Sequence, residues 1–575
     1  MSADSAPAAT ATSFAEASDA VAAILSANGV RELFTMPGDA FPVLEAVARA
    51  HERGAAAPRI ATCLHEIVAV AAAHGHHMVS RVPQACLLHV DVGLQMAGGM
   101  LHNAQRARAG ILLLGGRTPA TWDGSRRGGR VIDMQWIQDR GDLGGTVRDY
   151  VKWSYDLQRT EPLPHVLQRA LQIAAADPAG PVYVSLLREM LMEPLEATLS
   201  DPARHRPPQP SVPEIPALET LADWICGAER PIVVVGHAGR EALAFERLGA
   251  FATAAATPVY SRGARANISS EHPMYLGTDH GAALAEADLV VLLDVEVPWT
   301  PAFQGVREDA RIARLDIDPL KPEMGLWSFP ADLLLSGSTT AALPILTELV
   351  LERRTRAQDA RAEERRASVA DAHRRREESL TGARPPSGAG PMAAAYVARC
   401  VAELVDEDTI VVDDSTTAIA TNAEHIPILA PGSYFQPIGS SMGWGAGASL
   451  GAKLAAPEKT VISLNAEGNL FSGAPEAAFW TAARLNAPFL TVVYDNAQYA
   501  AIKLGLTYEY PDSALARAGE LELERAPDIP ALAASCGAFA ERVAAADGLP
   551  GALRRGLAAV RDGQCAVLDV TVQGP

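Results

Sequence analysis

The 575-residue sequence has no Cys-x-x-Cys pair among its six cysteines, no basic, apolar-cored leader at its start, and no apolar run long enough to span a bilayer. The cysteines, at positions 63, 86, 226, 400, 536 and 565, mostly sit in apolar sequence, as reduced core thiols do. A reducing cytoplasm is therefore expected. Positive charge is also scarce: 49 Lys and Arg against 68 Asp and Glu leave a formal charge of −19. Phosphate binding needs clustered cations that dominate the local field, so nucleic acid is not an expected partner, and neither is a membrane. What is present is 48% hydrophobic and 20% charged sequence, enough for three domains of ordinary size.

Residues 1–13, MSADSAPAATATS, read as a disordered tail. From 14 to 195, helix-like and strand-like segments alternate: an amphipathic stretch from Phe14 to Asn28, the strand Glu32 to Thr35, strands over Gln84 to Val90 and Gly110 to Leu114, and the Ala-rich helix Glu66 to Ala73. Short strands alternating with helices indicate a parallel sheet covered on both faces. The Pro-rich residues 196–216 read as a linker, and a second α/β domain is expected over 217–351. Residues 352–391 combine an Arg- and Glu-rich solvated helix with the breaker PPSGAGP. Alternation then resumes over 392–575, with strands near Ile410 to Val412, Thr460 to Leu464, Pro488 to Tyr494 and Ala566 to Val572. The expected fold is α/β, with three doubly wound parallel-sheet domains.

Four stretches carry the chemistry. LNAEGNLFSG (464–473) puts the acid Glu467 at a turn after an apolar strand, and twenty-six residues, 469 to 494, separate Gly468 from Asp495-Asn496-Ala497-Gln498-Tyr499. Cys63-Leu64-His65-Glu66 opens an apolar helix, so Glu66 is an acid with small or apolar neighbours that needs a partner. Pro437-Ile438-Gly439-Ser440-Ser441-Met442-Gly443-Trp444 sets a methionine in glycine-rich sequence. Asp414-Ser415-Thr416-Thr417 follows a strand and offers hydroxyl donors, with Asp414 equally readable as a helix cap.

In this order the stretches resemble the motifs of the thiamine diphosphate-dependent enzymes, over nearly the whole chain. The resemblance implies pyrimidine-binding, central and diphosphate-binding domains. It implies that Glu467, Asn496 and the backbone oxygen of Gln498 hold Mg²⁺, an ion that prefers hard oxygen ligands, with Ser415, Thr416, Gly468, Asn469 and Asn496 around the diphosphate. Ala466, Glu467 and Asp495 depart from the family's usual Gly-Asp-Gly and Asn-Asn residues, and Glu is one methylene longer than Asp. The resemblance further implies that Glu66 contacts N1′ of the aminopyrimidine, that the Ser440 carbonyl holds its 4′ amine, and that Met442 wedges beneath the bent cofactor. In the family, the acid equivalent to Glu66 serves a cofactor held by a second subunit, so a homodimer or homotetramer is implied.

Pro37-Gly38-Asp39 resembles the turn that presents an acid over the cofactor in pyruvate decarboxylase-like members, and His89 falls where benzoylformate decarboxylase places a substrate-side histidine. Two polar groups above a carbanion suit proton shuttling. Ile502 stands where pyruvate decarboxylases have a catalytic Glu. His89 to Gln95, Trp122 to Arg127 and Pro488 to Tyr494 are most similar to the acetolactate synthase-like group. The expected reaction is decarboxylation of a small-molecule 2-oxo acid with carboligation. A lyase acting on 2-hydroxyacyl-CoA or of the benzaldehyde lyase type is the alternative, and a non-catalytic relative that binds a cofactor or nucleotide is the alternative from another class. FAD in the central domain is possible and is not readable from the sequence.

Overall fold

The computed structural model describes residues 12–263, 265–381, 390–523 and 525–574. The expected tail therefore lies outside the described residues except for Thr12 and Ser13, which pair with Ala197 and Glu196 in a small antiparallel ribbon. Most of PPSGAGP also lies outside them.

Three parallel sheets form the frame. The first orders its strands Arg59–Thr62, Glu32–Thr35, Gln84–Leu88, Ile111–Arg117, Val182–Leu187 and Ser154–Leu157. The central one runs Val259–Ser261, Pro231–Val235, Leu289–Leu293, Arg311–Asp316 and Leu333–Ser336. The third runs Tyr434–Phe435, Thr409–Asp414, Thr460–Ala466, Leu490–Asp495, Ala566–Thr571 and Phe539–Val543. Inner strands such as Gln84–Leu88 and Pro231–Val235 are buried along their whole length, which is why they read as continuous apolar runs.

The first and third sheets meet through the helices Glu66–Ser80 and Gly445–Ala455, which are rich in small residues. Their backbones touch: a Cβ on Gly451 would lie 1.8 Å from the Ala72 carbonyl oxygen, and one on Gly75 would lie 2.0 Å from that of Ala448. Only glycine fits there. The helix Arg356–Thr381 carries the ion pairs its sequence promised, such as Arg375 to Asp371 at 3.0 Å. It also docks, since Arg365 donates to the carbonyls of Ala228, Ala255 and Ala256 at 2.7 to 3.0 Å.

One strand ends earlier than its sequence suggests. Leu88-His89-Val90-Asp91-Val92 alternates like a strand, yet the strand stops at Leu88 and the helix Val90–Met96 begins. Val90 has φ +29°, a value a β-branched residue adopts only when its surroundings force it. His89 thus sits at a sharp strand-to-helix turn.

Candidate active site

The candidate residues fall into two groups. The first gathers at the ends of the first sheet's strands. His65 caps the helix Glu66–Ser80 by accepting the Ile67 N–H at 3.1 Å, and this fixes Glu66 as the buried first residue of that helix. Glu66 and His89 share one wall: a Cβ on Gly93 would lie 3.2 Å from Glu66 Oε1 and 3.5 Å from His89 Cβ. Asp39 reaches the same place through its main chain, whose N–H donates to His89 Nδ1 at 3.3 Å. Its carboxylate accepts from Gln138 Nε2 and, at 3.4 Å, from Arg188 Nη1. Neither Gln138 nor Arg188 was a sequence candidate.

The second group lies at the ends of the third sheet's strands. Glu467 is the first residue of the short helix Glu467–Ser472 and is 2% exposed. Its Oε1 accepts the Gln498 N–H at 3.0 Å, and the same N–H lies 3.2 Å from Asn496 Oδ1. The backbone turns sharply there, with Ala497 at φ +55°. Burial pushes the Glu467 carboxyl up to about 7, a rise that the Gln498 N–H opposes and the neighbouring Asp495 charge reinforces. The Met442 side chain ends over Gly468, where a Cβ would lie 3.4 Å from the methionine methyl and 3.3 Å from the Tyr499 ring. Tyr499 is a wall residue that sequence reasoning did not single out.

The donors expected around the diphosphate divide. Asp414 accepts the Gly445 N–H at 2.9 Å, so it caps the start of a distant helix and not its own. Asn469 Nδ2 donates to Asp414 Oδ1 at 2.6 Å and to the Asp414 carbonyl at 2.9 Å. Burial raises the Asp414 carboxyl to about 7, against the lowering effect of these donors. The Ser415 hydroxyl points inward and donates to Asp413 at 2.5 Å, whereas Thr416 is exposed at φ +52°. Ser440 is exposed, and its loop is clamped to the first sheet's domain by Asn103, which donates to the Ser441 carbonyl at 2.8 Å and accepts the Ser441 N–H at 3.1 Å.

Among the described residues, no group of three or more His, Cys, Asp and Glu side chains is arranged for a metal. The set at Glu467 is of another kind: one carboxylate, the Asn496 amide oxygen and the Gln498 carbonyl, oxygen throughout. Hard divalent cations prefer such donors, and a buried carboxylate with no cationic side chain bonded to it among the described residues fits one. The Gln498 carbonyl already accepts the Ala500 N–H at 2.9 Å, which leaves its second lone pair.

Between the central and third sheets, a cavity of about 440 Å³ is lined by His237, Arg262, Thr278, Glu296, Gln304 and Gln436 among others. No helix among the described residues is long and apolar enough to cross a membrane.

Comparison with known proteins covers the same three parts. Residues 15–143 match the family described as thiamine pyrophosphate enzyme, N-terminal TPP binding domain; residues 218–335 match its central domain; and residues 414–570 match its C-terminal TPP binding domain. A benzoylformate decarboxylase of Pseudomonas aeruginosa is 25% identical over 87% of this chain and 89% of its own. Human 2-hydroxyacyl-CoA lyase 2 is 24% identical over 84% and 79%. Among solved structures, the thiamine diphosphate-dependent 4-hydroxybenzoylformate decarboxylase of Rhodococcus jostii superposes with a TM-score of 0.78 at 21% identity, covering 98% of this chain and 100% of that one.

Proposed function

Because this chain belongs to the family of thiamine pyrophosphate-dependent enzymes, we propose that it decarboxylates a 2-oxo acid and joins the remaining fragment to a second carbonyl compound. The observation that carries this reading is the buried Glu66 carboxylate facing His89 across Gly93. Thiamine diphosphate, when bound, supplies the carbon that adds to the substrate carbonyl and takes up the electron pair released on C–C cleavage.

The chain's own residues do the rest. Glu66 would hold a proton at N1′ of the aminopyrimidine, with the Ser440 carbonyl at the 4′ amine and Met442 beneath the ring. Glu467, Asn496 and the Gln498 carbonyl would hold Mg²⁺, with Ser415, Thr416, Gly468 and Asn469 around the diphosphate. The inward hydrogen bond of Ser415 leaves its hydroxyl the least available of these. His89 and Asp39 would line the substrate side, where His89 can pass a proton to or from the substrate.

Glu66 opens a helix that follows the first sheet's strand Arg59–Thr62, and Glu467 opens one that follows the third sheet's strand Thr460–Ala466. This arrangement supports a homodimer, or a tetramer built from it, in which Glu66 of one copy completes the seat on another. The acidic surface and six free thiols support a cytoplasmic setting. Whether the central domain holds FAD is tested by a visible absorption spectrum of the purified protein.

The test of function is a screen of 2-oxo acids, benzoylformate and pyruvate among them, with thiamine diphosphate and Mg²⁺ added and products identified by mass. Cofactor-dependent release of CO₂ with an aldehyde or a 2-hydroxy ketone is expected. Cofactor binding without consumption of any 2-oxo acid would overturn the reading in favour of a non-catalytic relative, and cleavage of a 2-hydroxyacyl-CoA instead would reassign the reaction.

A further inference from the structure

At the Pro37-Gly38-Asp39 turn the main chain, not the acid, is what meets His89. The Asp39 carboxylate is occupied by Gln138 Nε2 on one oxygen and by Arg188 Nη1, 3.4 Å away, on the other. Arg188 is buried and held in turn by the carbonyls of Gly128 and Gly129, each at 2.8 Å. Gln138 is 9% exposed and ends the short helix Met134–Ile137. What reaches His89 is the Asp39 N–H, which donates to Nδ1 at 3.3 Å. Among the described residues this is the ring's hydrogen bond, and it requires Nδ1 to be the acceptor. A neutral imidazole then carries its proton on Nε2.

Two further observations show that the arrangement is built. A Cβ on Gly38 would come within 2.5 Å of His89 Nδ1, so the turn is pressed against the ring with no room for a side chain. The residue after His89, Val90, stands at φ +29°, a backbone cost that the surroundings must impose.

We infer that Gln138 and Arg188 are positioning residues: by holding the Asp39 carboxylate they aim the Asp39 N–H at His89 Nδ1, so that His89 meets the substrate as an Nε2–H donor. This deepens the proposed function and rests on its placement of His89 at the substrate side. Gln138, on a segment nearly a hundred residues away in sequence from Asp39, would thereby set the proton inventory of the site without touching substrate.

Two measurements test this separately. The first is ¹⁵N NMR of histidine-labelled protein, with the His89 signals assigned by their loss in His89→Asn. A protonated Nε2 and unprotonated Nδ1 in the neutral ring are expected, and a proton on Nδ1 would overturn the inference whether or not a 2-oxo acid substrate is found. The second is kinetic. Gln138→Met should lower kcat by about tenfold to a hundredfold, the scale known for outer partners that orient metal-bound imidazoles, with KM and thiamine diphosphate affinity unchanged. The double variant with Asp39→Ala should be no slower than Asp39→Ala alone, because both act through one strut. Additive losses, or a raised KM with intact kcat, would show that Gln138 only braces the fold.

Discussion

The indole N–H of Trp444 donates to Nδ1 of His74 at 2.9 Å, and both side chains are fully buried between the first and third sheets. The contact requires a neutral, acceptor imidazole. Burial, helped by the Arg265 charge, lowers the His74 value from 6.5 to about 3, and burial lowers His76 to about 4. A depressed folded value means that the unfolded chain binds protons first. The stability these residues contribute is therefore complete above 6.5 and is lost as pH falls towards 4 and 3. Urea midpoints followed by tryptophan fluorescence should drop steeply across that window. A midpoint that stays level between pH 6.5 and 4 would refute this.

Glu66→Gln keeps the shape of the buried side chain and removes its proton. Turnover should fall at least about a hundredfold, the usual scale for a lost acid-base group, with the fold and most of the cofactor affinity intact. Activity equal to that of the parent protein would remove Glu66 from its assigned role.

Glu467 separates a loop acid from a metal ligand. Glu467→Ala should weaken thiamine diphosphate binding severely, and excess Mg²⁺ should recover part of it. Glu467→Asp asks whether the turn has adapted to the longer side chain: an adapted turn leaves Asp short of the ion and weakens binding too. Calorimetric titration of the cofactor with and without Mg²⁺ reads both, and unchanged affinity in Glu467→Ala would exclude it as a ligand.

His89→Ala and Asp39→Ala should change turnover or the ratio of products while thiamine diphosphate binding stays as it was. Steady-state kinetics beside the same calorimetry distinguish the two effects. Loss of cofactor binding with unaltered substrate kinetics would assign both residues a structural role.

Gly451→Ala inserts a methyl where the Ala72 carbonyl oxygen would be 1.8 Å away. The helices must separate, at a cost of about 3 kcal/mol, the upper end for overpacking. Thermal unfolding should register a lowered midpoint; a midpoint equal to that of the parent would mean the helix contact is looser than described.

Much of this was legible in one dimension, for physical reasons. Buried parallel strands must be apolar on both faces, so Pro231–Val235 and most of Thr460–Ala466, read as far as Leu464, announced themselves as runs. Glu66 stood out because an acid among alanines and valines has few innocent explanations. The turn at His89 was hidden, since alternation around it imitates a strand and the positive φ of Val90 is imposed from outside. The direction of the Ser415 hydroxyl was not readable, because it is set by what lies behind it, here Asp413. Asp414 was readable as a cap, but its target, Gly445, is a tertiary fact. Gln138 and Arg188 carried no local signal, because their meaning lies in an aspartate that folding brings to them.

The glycine-lined seam between Glu66–Ser80 and Gly445–Ala455 works as a ruler. Where two backbones are in contact, neither helix can slip by a residue without driving a side chain into a carbonyl. One helix starts at Glu66, and the other starts three residues after Met442. The seam therefore locks the spacing between these two positions within each chain. Drift elsewhere in the surface leaves that spacing alone, and a single methyl on the seam would recalibrate it.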